Sequence, residues 1–175
     1  MEIRKANQED AAEIANVHTN TWREAYKGLL PQRVLDDRPL FFRNRYELWK
    51  KVTADEAQVT FVADSGPKHG VVGFVNGSHA RDEKYKDYAE VWAIYLLEKY
   101  HGQGVGFDLL KQYFDVFYER GFRKGYLWVL DENPTIRFYE KVGGKRTDDV
   151  KKDVLGGAEI DEVCYTWDNI KLERK

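Results

Sequence analysis

The segment WAIYLLEKYHGQGVG, residues 92–106, joins two structural signals. Its first half belongs to a run from Glu90 to Leu97 that is apolar on both faces, which predicts a central strand. Its second half places Gly102, Gly104 and Gly106 at alternate positions before a helical pattern. Glycines let the backbone approach a ligand closely, and a helix N-terminus attracts anions. The segment therefore predicts a strand, a loop and a helix that bind an anion such as a pyrophosphate.

The three glycines do not match two common nucleotide-binding motifs. Position 107 is Phe, so the run is not G-x-G-x-x-G, and no Gly-Lys-Ser/Thr follows as in a P-loop. A glycine-rich turn before a packed helix is the simpler alternative, because glycine clusters are common in turns. The residues alone leave both interpretations open.

The flanking segments predict a mixed α/β sheet with antiparallel N-terminal strands and helices on its sides. Alternating apolar residues in 58–63 and 70–75 favour an antiparallel hairpin. The order of the remaining patterns excludes a doubly wound, all-parallel sheet. Further strands are predicted at 3–5, 124–130 and 158–167, and helices after Asn7, around 41–51, from Leu109 to near Gly121 and at 135–142. The charged runs predict a solvated loop at 148–153 and a frayed tail at 171–175.

Length and composition limit the class of protein. A chain of 175 residues predicts one domain over 1–175, and 28 basic against 30 acidic residues argue against a nucleic-acid partner. The lone Cys164 favours a reducing compartment and is predicted to be a packing residue. We expect a cytoplasmic protein with no membrane partner, because no signal-like or membrane-length apolar run is present. The four histidines lack metal-ligand spacing, so no metal is expected.

Three blocks, in the expected order, resemble the GNAT superfamily of acetyl-CoA-dependent N-acetyltransferases. Residues 101–106 resemble its motif A, Q/R-x-x-G-x-G/A, with His101 where Gln or Arg is usual. Residues 129–144, VLDENPTIRFYEKVGG, resemble motif B, and residues 18–31 resemble one bacterial branch. The resemblance implies a GNAT-type central mixed sheet, acetyl-CoA as cosubstrate, and acetyl transfer to a primary amine by direct attack.

The resemblance also implies roles for individual residues. The backbone of Ile94, Tyr95 and Leu96 would pair with the pantetheine arm, and Asn133 would contact the cofactor. Tyr139 would protonate the departing thiolate. A phenol with a pKa of about 10 is a weak acid for a thiolate whose thiol has a pKa of about 8.5, so Tyr139 is expected to assist rather than to be essential. The pyrophosphate would bind the loop amides of Gly102, Gln103, Gly104, Val105, Gly106 and Phe107.

The acceptor amine needs help to react. Only about 0.04% of an alkylamine is neutral at pH 7, so a base or a desolvating pocket is expected. Glu90 is the candidate base, and its alternative is a strand-end glutamate in a surface ion pair; Asp131 and Glu132 are further candidates. Trp22 and Tyr26, four residues apart on the first helix, form either a core pair or an aromatic wall that contacts the ammonium group.

Two competing functions remain open from the sequence. One is a non-catalytic acyl-CoA-binding or regulatory module, and the other is a different nucleotide-binding α/β protein. The acceptor is equally open among polyamines, amino acids, antibiotics and protein N-termini. A homodimer is common in the family, but no residue decides the oligomeric state.

Overall fold

A computed structural model describes residues 1–25, 27–28, 32, 36, 38–155 and 158–174. Short 3₁₀ turns lie at Gln8–Asp10, Glu83–Tyr85 and Glu98–Tyr100. The strands and helices are, in chain order, β1 (Glu2–Lys5), α1 (Ala11–Ala25), α2 (Arg38–Ala54), β2 (Val59–Asp64), β3 (Val71–His79), β4 (Tyr88–Leu96), α3 (Val105–Glu119), β5 (Lys124–Leu130), α4 (Ile136–Lys141), β6 (Lys145–Leu155) and β7 (Ala158–Trp167).

The strands form one sheet in the order β1-β2-β3-β4-β5-β7-β6. Its neighbouring strands are antiparallel except β4 and β5, which are parallel. This arrangement confirms the predicted mixed sheet, the hairpin of β2 and β3, and the central position of β4. Among the described residues, no helix is both long and apolar enough to cross a membrane.

Helices cover both faces of the sheet. The apolar residues of α3 recur every three or four positions, so one stripe containing Leu109, Tyr113 and Phe117 is fully buried against one face. On the opposite face, Ile14 of α1 and Trp49 of α2 pack with Phe74 of β3. The sheet therefore separates an α3 side from an α1/α2 side, and the functional site lies where the sheet is open between them.

The predicted loop at 148–153 is wrong, because these residues lie within strand β6. Val150 pairs with Val163 and Lys151 with Glu162 of β7. An edge strand is often polar and charged, which protects its exposed edge from pairing with other chains. The run of mixed charges that indicated a solvated loop therefore belongs to an edge strand.

The predicted frayed tail is also wrong, as far as residue 174. Ile170 and Leu172 are buried in the core beside α3, and the Ile170 N–H donates to the Arg123 carbonyl over 2.9 Å. Lys171 and Glu173 alternate with these apolar residues and, like Arg174, are exposed. The charged residues led to the prediction of a frayed tail, but Ile170 and Leu172 anchor this segment in the core.

His18 links α1, α2 and β4 and makes folding stability depend on pH. The Trp49 Nε1–H donates to His18 Nδ1 over 3.2 Å, and the His18 ring stacks on Tyr95 at 4.8 Å between centroids. Burial, together with the positive charge of Arg45, lowers the pKa of His18 to about 3. The folded protein therefore keeps this ring neutral at pH values where the unfolded chain takes up a proton.

We expect His18 to cost stability as the pH falls from about 6.5, its unfolded pKa, towards 3. Within that window the free energy of unfolding should lose up to about 1.4 kcal/mol per pH unit from this group. Denaturant unfolding from pH 7 to pH 4.5 should show a shallower slope for His18→Asn than for the wild type. The exposed His69→Asn is the control, and equal slopes for wild type and His18→Asn would contradict the assignment.

Candidate active site

The sheet opens into a cleft between β4 and β5. In the described residues their ladder spans three pairs, ending at Glu90 and Tyr126, and the strands then diverge. The Leu97 N–H donates to the Val72 carbonyl of β3 over 2.9 Å. Because backbone groups alternate in direction along a strand, the peptide groups of Ile94 and Leu96 point away from β3, into the cleft. The edge of β4 in the cleft can therefore pair with an extended ligand.

The three predicted pantetheine contacts differ in orientation. Ile94 and Leu96 direct their backbone groups into the cleft, whereas Tyr95 pairs with Phe74 of β3. The Leu96 carbonyl already accepts a hydrogen bond from His101 Nε2 over 2.8 Å. His101, the departure from the usual motif, thus ties the glycine loop to the end of the central strand.

The glycine loop has a conformation that its sequence requires. Gly102 and Gly104 have φ values of 72° and 83°, in the left-handed region that favours glycine. Gly104 precedes α3, and its carbonyl accepts the N–H of Asp108 over 3.0 Å. The N–H groups of 105–107 come before this first helical bond and lie outside the helix ladder. Together with the helix dipole they make the mouth of the cleft suited to bind an anion.

The other loop residues support this geometry. Gln103 Nε2 donates to the Lys99 carbonyl over 2.9 Å, which closes the loop on itself. Phe107 packs against the core, and a Cβ on Gly106 would lie 3.4 Å from the Phe138 ring of α4. Gly106 therefore allows α3 and α4 to approach closely.

Asn133 and Tyr139 lie at the β5 side of the cleft. The Asn133 Oδ1 accepts hydrogen bonds from the Thr135 N–H over 2.9 Å and from Thr135 Oγ1 over 2.6 Å, so it shapes the turn before α4. Tyr139 is buried, and its ring contacts Tyr165 and Trp167 at centroid distances of 6.1 and 6.2 Å. An aromatic cluster thus fixes the Tyr139 ring.

Glu90 is buried and lies at the last pair before the strands separate. Arg81 surrounds its carboxylate: the Arg81 N–H donates to Oε2 over 2.9 Å and Nη2 donates to Oε1 over 2.7 Å. Burial opposes ionisation of Glu90, but these hydrogen bonds and the charge of Arg81 outweigh it and lower the pKa. Glu90 is therefore a carboxylate that stays charged and is engaged at both oxygens.

A cavity of about 600 Å³ lies over the cleft on the face opposite α3. Trp92 and Trp128 are each two residues beyond the Glu90–Tyr126 pair, so they lie on opposite sides of the cleft, Trp92 on β4 and Trp128 on β5. The β3–β4 register shifts at Trp92, and such a bulge redirects a side chain. The lining residues are Arg81, Asp82, Glu83, Glu90, Val91, Trp92, Trp128, Lys151 and Glu162.

The charges in this cavity are only partly balanced. Arg81 pairs with Glu90, and Lys151 Nζ lies 3.1 Å from Asp82. Glu162 on β7 is half-buried, and within the described part of the chain its carboxylate makes no hydrogen bond or ion pair. Burial and the nearby Asp153, opposed by Lys151, raise its pKa. The cavity therefore presents one carboxylate that an incoming cation can neutralise.

The sequence did not single out Arg81, Trp92, Trp128 or Glu162. Their proximity depends on the parallel β4–β5 register and on the pairing of β7, which a single sequence does not reveal. One signal was present: Glu162 occupies the same alternating set of strand positions as the buried Cys164, where a charged side chain is unusual.

Of the other residues predicted for the acceptor side, those that the structure describes do not line the cavity. Trp22 is buried under Arg45, whose Cζ lies 5.0 Å from the ring centroid, and Tyr26 lies outside the described residues. Asp131 is exposed and bound to Arg146, which lowers its pKa, and Glu132 is exposed in the following turn. Cys164 is fully buried, and burial raises the pKa of its thiol. The described residues contain no group of three side chains suited to hold a metal ion.

The open sheet, the glycine loop and motif B together define an acetyltransferase fold. The model of the acetyltransferase (GNAT) family matches residues 17–144, which is most of the chain. The protein therefore belongs to the GNAT acetyltransferase family and is an acyltransferase enzyme, as the resemblance predicted.

The similarity to individual relatives extends over nearly the whole chain. The uncharacterised N-acetyltransferase YuaI of Bacillus subtilis strain 168 is 30% identical over 168 residues, 96% of this chain and 93% of that protein. The fold is similar to that of the PaiA N-acetyltransferase of Thermoplasma acidophilum in complex with coenzyme A, with a TM-score of 0.71, 21% identity, and 95% and 97% of the two chains covered. YncA of Salmonella typhimurium with its cofactor acetyl-CoA gives a TM-score of 0.69 and 18% identity over 100% and 96%.

Proposed function

We propose that the protein transfers an acetyl group from acetyl-CoA to a primary amine across the β4–β5 cleft. The observation that carries this proposal is that the cleft joins two different sites. A glycine loop suited to an anion lies at one end, and an aromatic, acidic cavity lies over the other. A thioester held along β4 would meet an amine in that cavity.

The coenzyme would bind through backbone groups. Its pantetheine arm would add to the edge of β4 at Ile94 and Leu96, beside Tyr95 and opposite Asn133. Its pyrophosphate would accept hydrogen bonds from the amides between Gly102 and Phe107, where α3 supplies N–H groups and a favourable dipole. Two coenzyme A complexes among the structural neighbours, PaiA and YncA, support this proposal for the cosubstrate.

The reaction is proposed to be direct. The neutral amine nitrogen attacks the thioester carbonyl carbon, the C–S bond breaks, and the thiolate takes a proton from Tyr139 as it leaves. Before the attack the ammonium of the acceptor gives one proton to a carboxylate of the cavity through water, and after it the nitrogen loses a second proton to solvent. Tyr139 regains its proton from solvent, so the reaction releases one proton overall. A backbone N–H near Leu96 would stabilise the developing oxyanion.

Two carboxylates share the acceptor side in this proposal. Glu90 stays ionised because Arg81 lowers its pKa, so it stabilises the positive charge and accepts a proton only transiently. Glu162, whose raised pKa brings it closer to neutral pH, is the better proton acceptor and the contact for the ammonium group. The indoles of Trp92 and Trp128 already hold cations of the chain itself, because Arg81 Cζ lies 4.1 Å and Lys151 Nζ 4.0 Å from their ring centroids, so the ammonium contact is proposed for Glu162 alone. Trp22 and Tyr26 remain proposed for the outer wall.

Glu162→Gln is expected to raise the KM for the amine about ten-fold, because a half-buried contact between opposite charges is worth about 1.5–3 kcal/mol. The KM for acetyl-CoA should not change. The acid limb of kcat/KM for the amine should lie above the ordinary glutamate range in the wild type and disappear in the variant, since protonated Glu162 cannot hold the ammonium. Glu159→Gln, an exposed position on the same strand, is the control, and an unchanged amine KM in Glu162→Gln would contradict the role.

The experiment that tests the proposed function is release of the coenzyme A thiol from acetyl-CoA with a panel of amines. The panel should include diamines, amino acids, aminoglycosides and peptides with free N-termini. Turnover with at least one amine is the expected result. Tight acetyl-CoA binding with no turnover on any of them would favour the non-catalytic module instead.

Three further features belong to the same proposal. The chain would act as one N-acetyltransferase domain over residues 1–175 in the cytoplasm. The acceptor would be a small-molecule or protein amine, without nucleic acid, membrane or metal as a partner. A homodimer is also part of the proposal, and sedimentation would test it.

A further inference from the structure

The C-terminal segment runs along α3 towards the glycine loop. Ile170 and Leu172 anchor it in the core, and the Lys171 ammonium lies 5.7 Å from the Tyr118 ring near the C-terminal end of α3. Three residues later, the Arg174 guanidinium lies 5.5 Å from the Phe107 ring, in the first turn of the helix. The segment thus places one positive charge, Lys171, beside the C-terminal end of α3 and another, Arg174, beside its N-terminal end.

Arg174 lies directly beside the proposed pyrophosphate site. A Cβ placed on Gly104 would be 3.5 Å from both Nη1 and Nη2 of Arg174. Its Nη2 donates to Asp108 Oδ1 in the first turn of α3, and 62% of its side chain is exposed. The guanidinium is therefore held by a neighbouring carboxylate at the loop and remains open to solvent.

We infer that Arg174 is a coenzyme ligand that binds the pyrophosphate together with the loop amides. This inference rests on the proposed function. A guanidinium can bind a phosphate through two parallel hydrogen bonds, and its distance from Gly104 places it within reach of a phosphate seated on the loop. Asp108 holds the side chain near this position in the free protein and gives up at least one contact when the phosphate arrives. The pyrophosphate carries two negative charges and the Asp108 carboxylate one, so the exchange favours the coenzyme.

The glycine at position 104 then has two roles. Its left-handed backbone starts α3, and its missing side chain keeps the space between the loop amides and the guanidinium clear. The motif A glycines and a residue 70 positions later in the chain would thus bind the same anion. No known motif in the sequence connects them.

The test is calorimetric titration of the full chain with coenzyme A. Arg174→Ala should bind about ten-fold more weakly than the wild type, because one charge-assisted contact is lost. Lys171→Ala is the matched control: it removes the same charge from the same segment at the far end of α3 and should bind like the wild type. Thermal unfolding of each variant establishes that the fold is retained.

Two further arms sharpen the assignment. Dephospho-coenzyme A lacks the 3′-phosphate, so the ten-fold loss in Arg174→Ala should persist with it; a loss confined to coenzyme A would overturn the pyrophosphate assignment. Asp108→Asn should tighten binding in the wild-type background and much less when combined with Arg174→Ala. An equal gain in both backgrounds would indicate simple repulsion by Asp108 and contradict the exchange.

The outcomes separate this inference from the proposed function. A wild-type protein that does not bind coenzyme A would overturn both. A wild-type protein that binds it as tightly as Arg174→Ala would overturn only the role of Arg174.

Discussion

Gly104→Ala is expected to weaken coenzyme A binding about 100-fold, the loss of two charge-assisted hydrogen bonds. Gly104 has a φ of 83°, and an alanine there is strained by about 1–2 kcal/mol. The loop can relieve that strain only by rotating the backbone. Rotation turns the amides that begin α3 away from the pyrophosphate.

The matched control for this prediction is Gly66→Ala in the β2–β3 turn. Gly66 has the same φ of 83°, so alanine introduces the same backbone strain far from the cleft. Both variants should lose a similar amount of folding stability, whereas only Gly104→Ala should lose coenzyme affinity. Wild-type affinity in Gly104→Ala, measured by calorimetry, would show that the loop does not hold the pyrophosphate.

Tyr139→Phe is expected to lower kcat about 30-fold and to leave the KM for acetyl-CoA nearly unchanged. General acids typically contribute about 10²–10⁴-fold. The smaller value is expected here because a thiolate is already a good leaving group and needs less protonation than an amine or alkoxide. Steady-state kinetics with a saturating amine measures this effect.

Tyr165→Phe is the matched control for Tyr139. It removes the same hydroxyl from the same aromatic cluster, but that hydroxyl donates to Glu140 Oε1 over 3.1 Å. We expect Tyr165→Phe to lose about 1 kcal/mol of stability and to keep its kcat. A similar fall in kcat for both variants would indicate a packing effect and remove the proton-donor role from Tyr139.

In the proposed reaction, the two substrates would bind on different sides of the sheet. The glycine loop belongs to the end of β4 that leads into α3, and the acidic cavity lies on the opposite face of the sheet. Within the described residues the cleft between β4 and β5 is the gap in the sheet through which the two sites can meet. A thioester that projects through the cleft is therefore exposed to an amine on the far side.

Local patterns predicted the parts of the fold that depend on neighbouring residues. The alternation in β2 and β3, the helical spacing in α3 and the glycines of the loop each identify an element from a short stretch. Edge strand β6 and the segment from Ile170 to Arg174 did not follow this rule. Both mix charged and apolar residues, and their burial depends on partners that are distant in sequence.

The proposed cofactor side of the site can be named from the sequence more readily than the proposed acceptor side. The loop amides of Gly102 to Phe107 are consecutive, so one motif identifies them. The acceptor cavity takes Glu90 and Trp92 from β4, Trp128 from β5 and Glu162 from β7. The strand register and the divergence of β4 from β5 bring these residues together. The contact of Arg81 with Glu90 was not predicted either, because it forms across the connection between β3 and β4.

Quenched-reaction mass spectrometry distinguishes direct transfer across the cleft from transfer through an acetylated protein. The protein is mixed with acetyl-CoA labelled in its acetyl group and with an amine that supports turnover. The reaction is quenched at successive times, and the masses of the amine and of the intact protein are measured. We predict that label appears in the amine in step with free coenzyme A, while the protein mass stays unchanged. An acetylated protein that forms first and passes its label to the amine, for example through Cys164, would contradict the account.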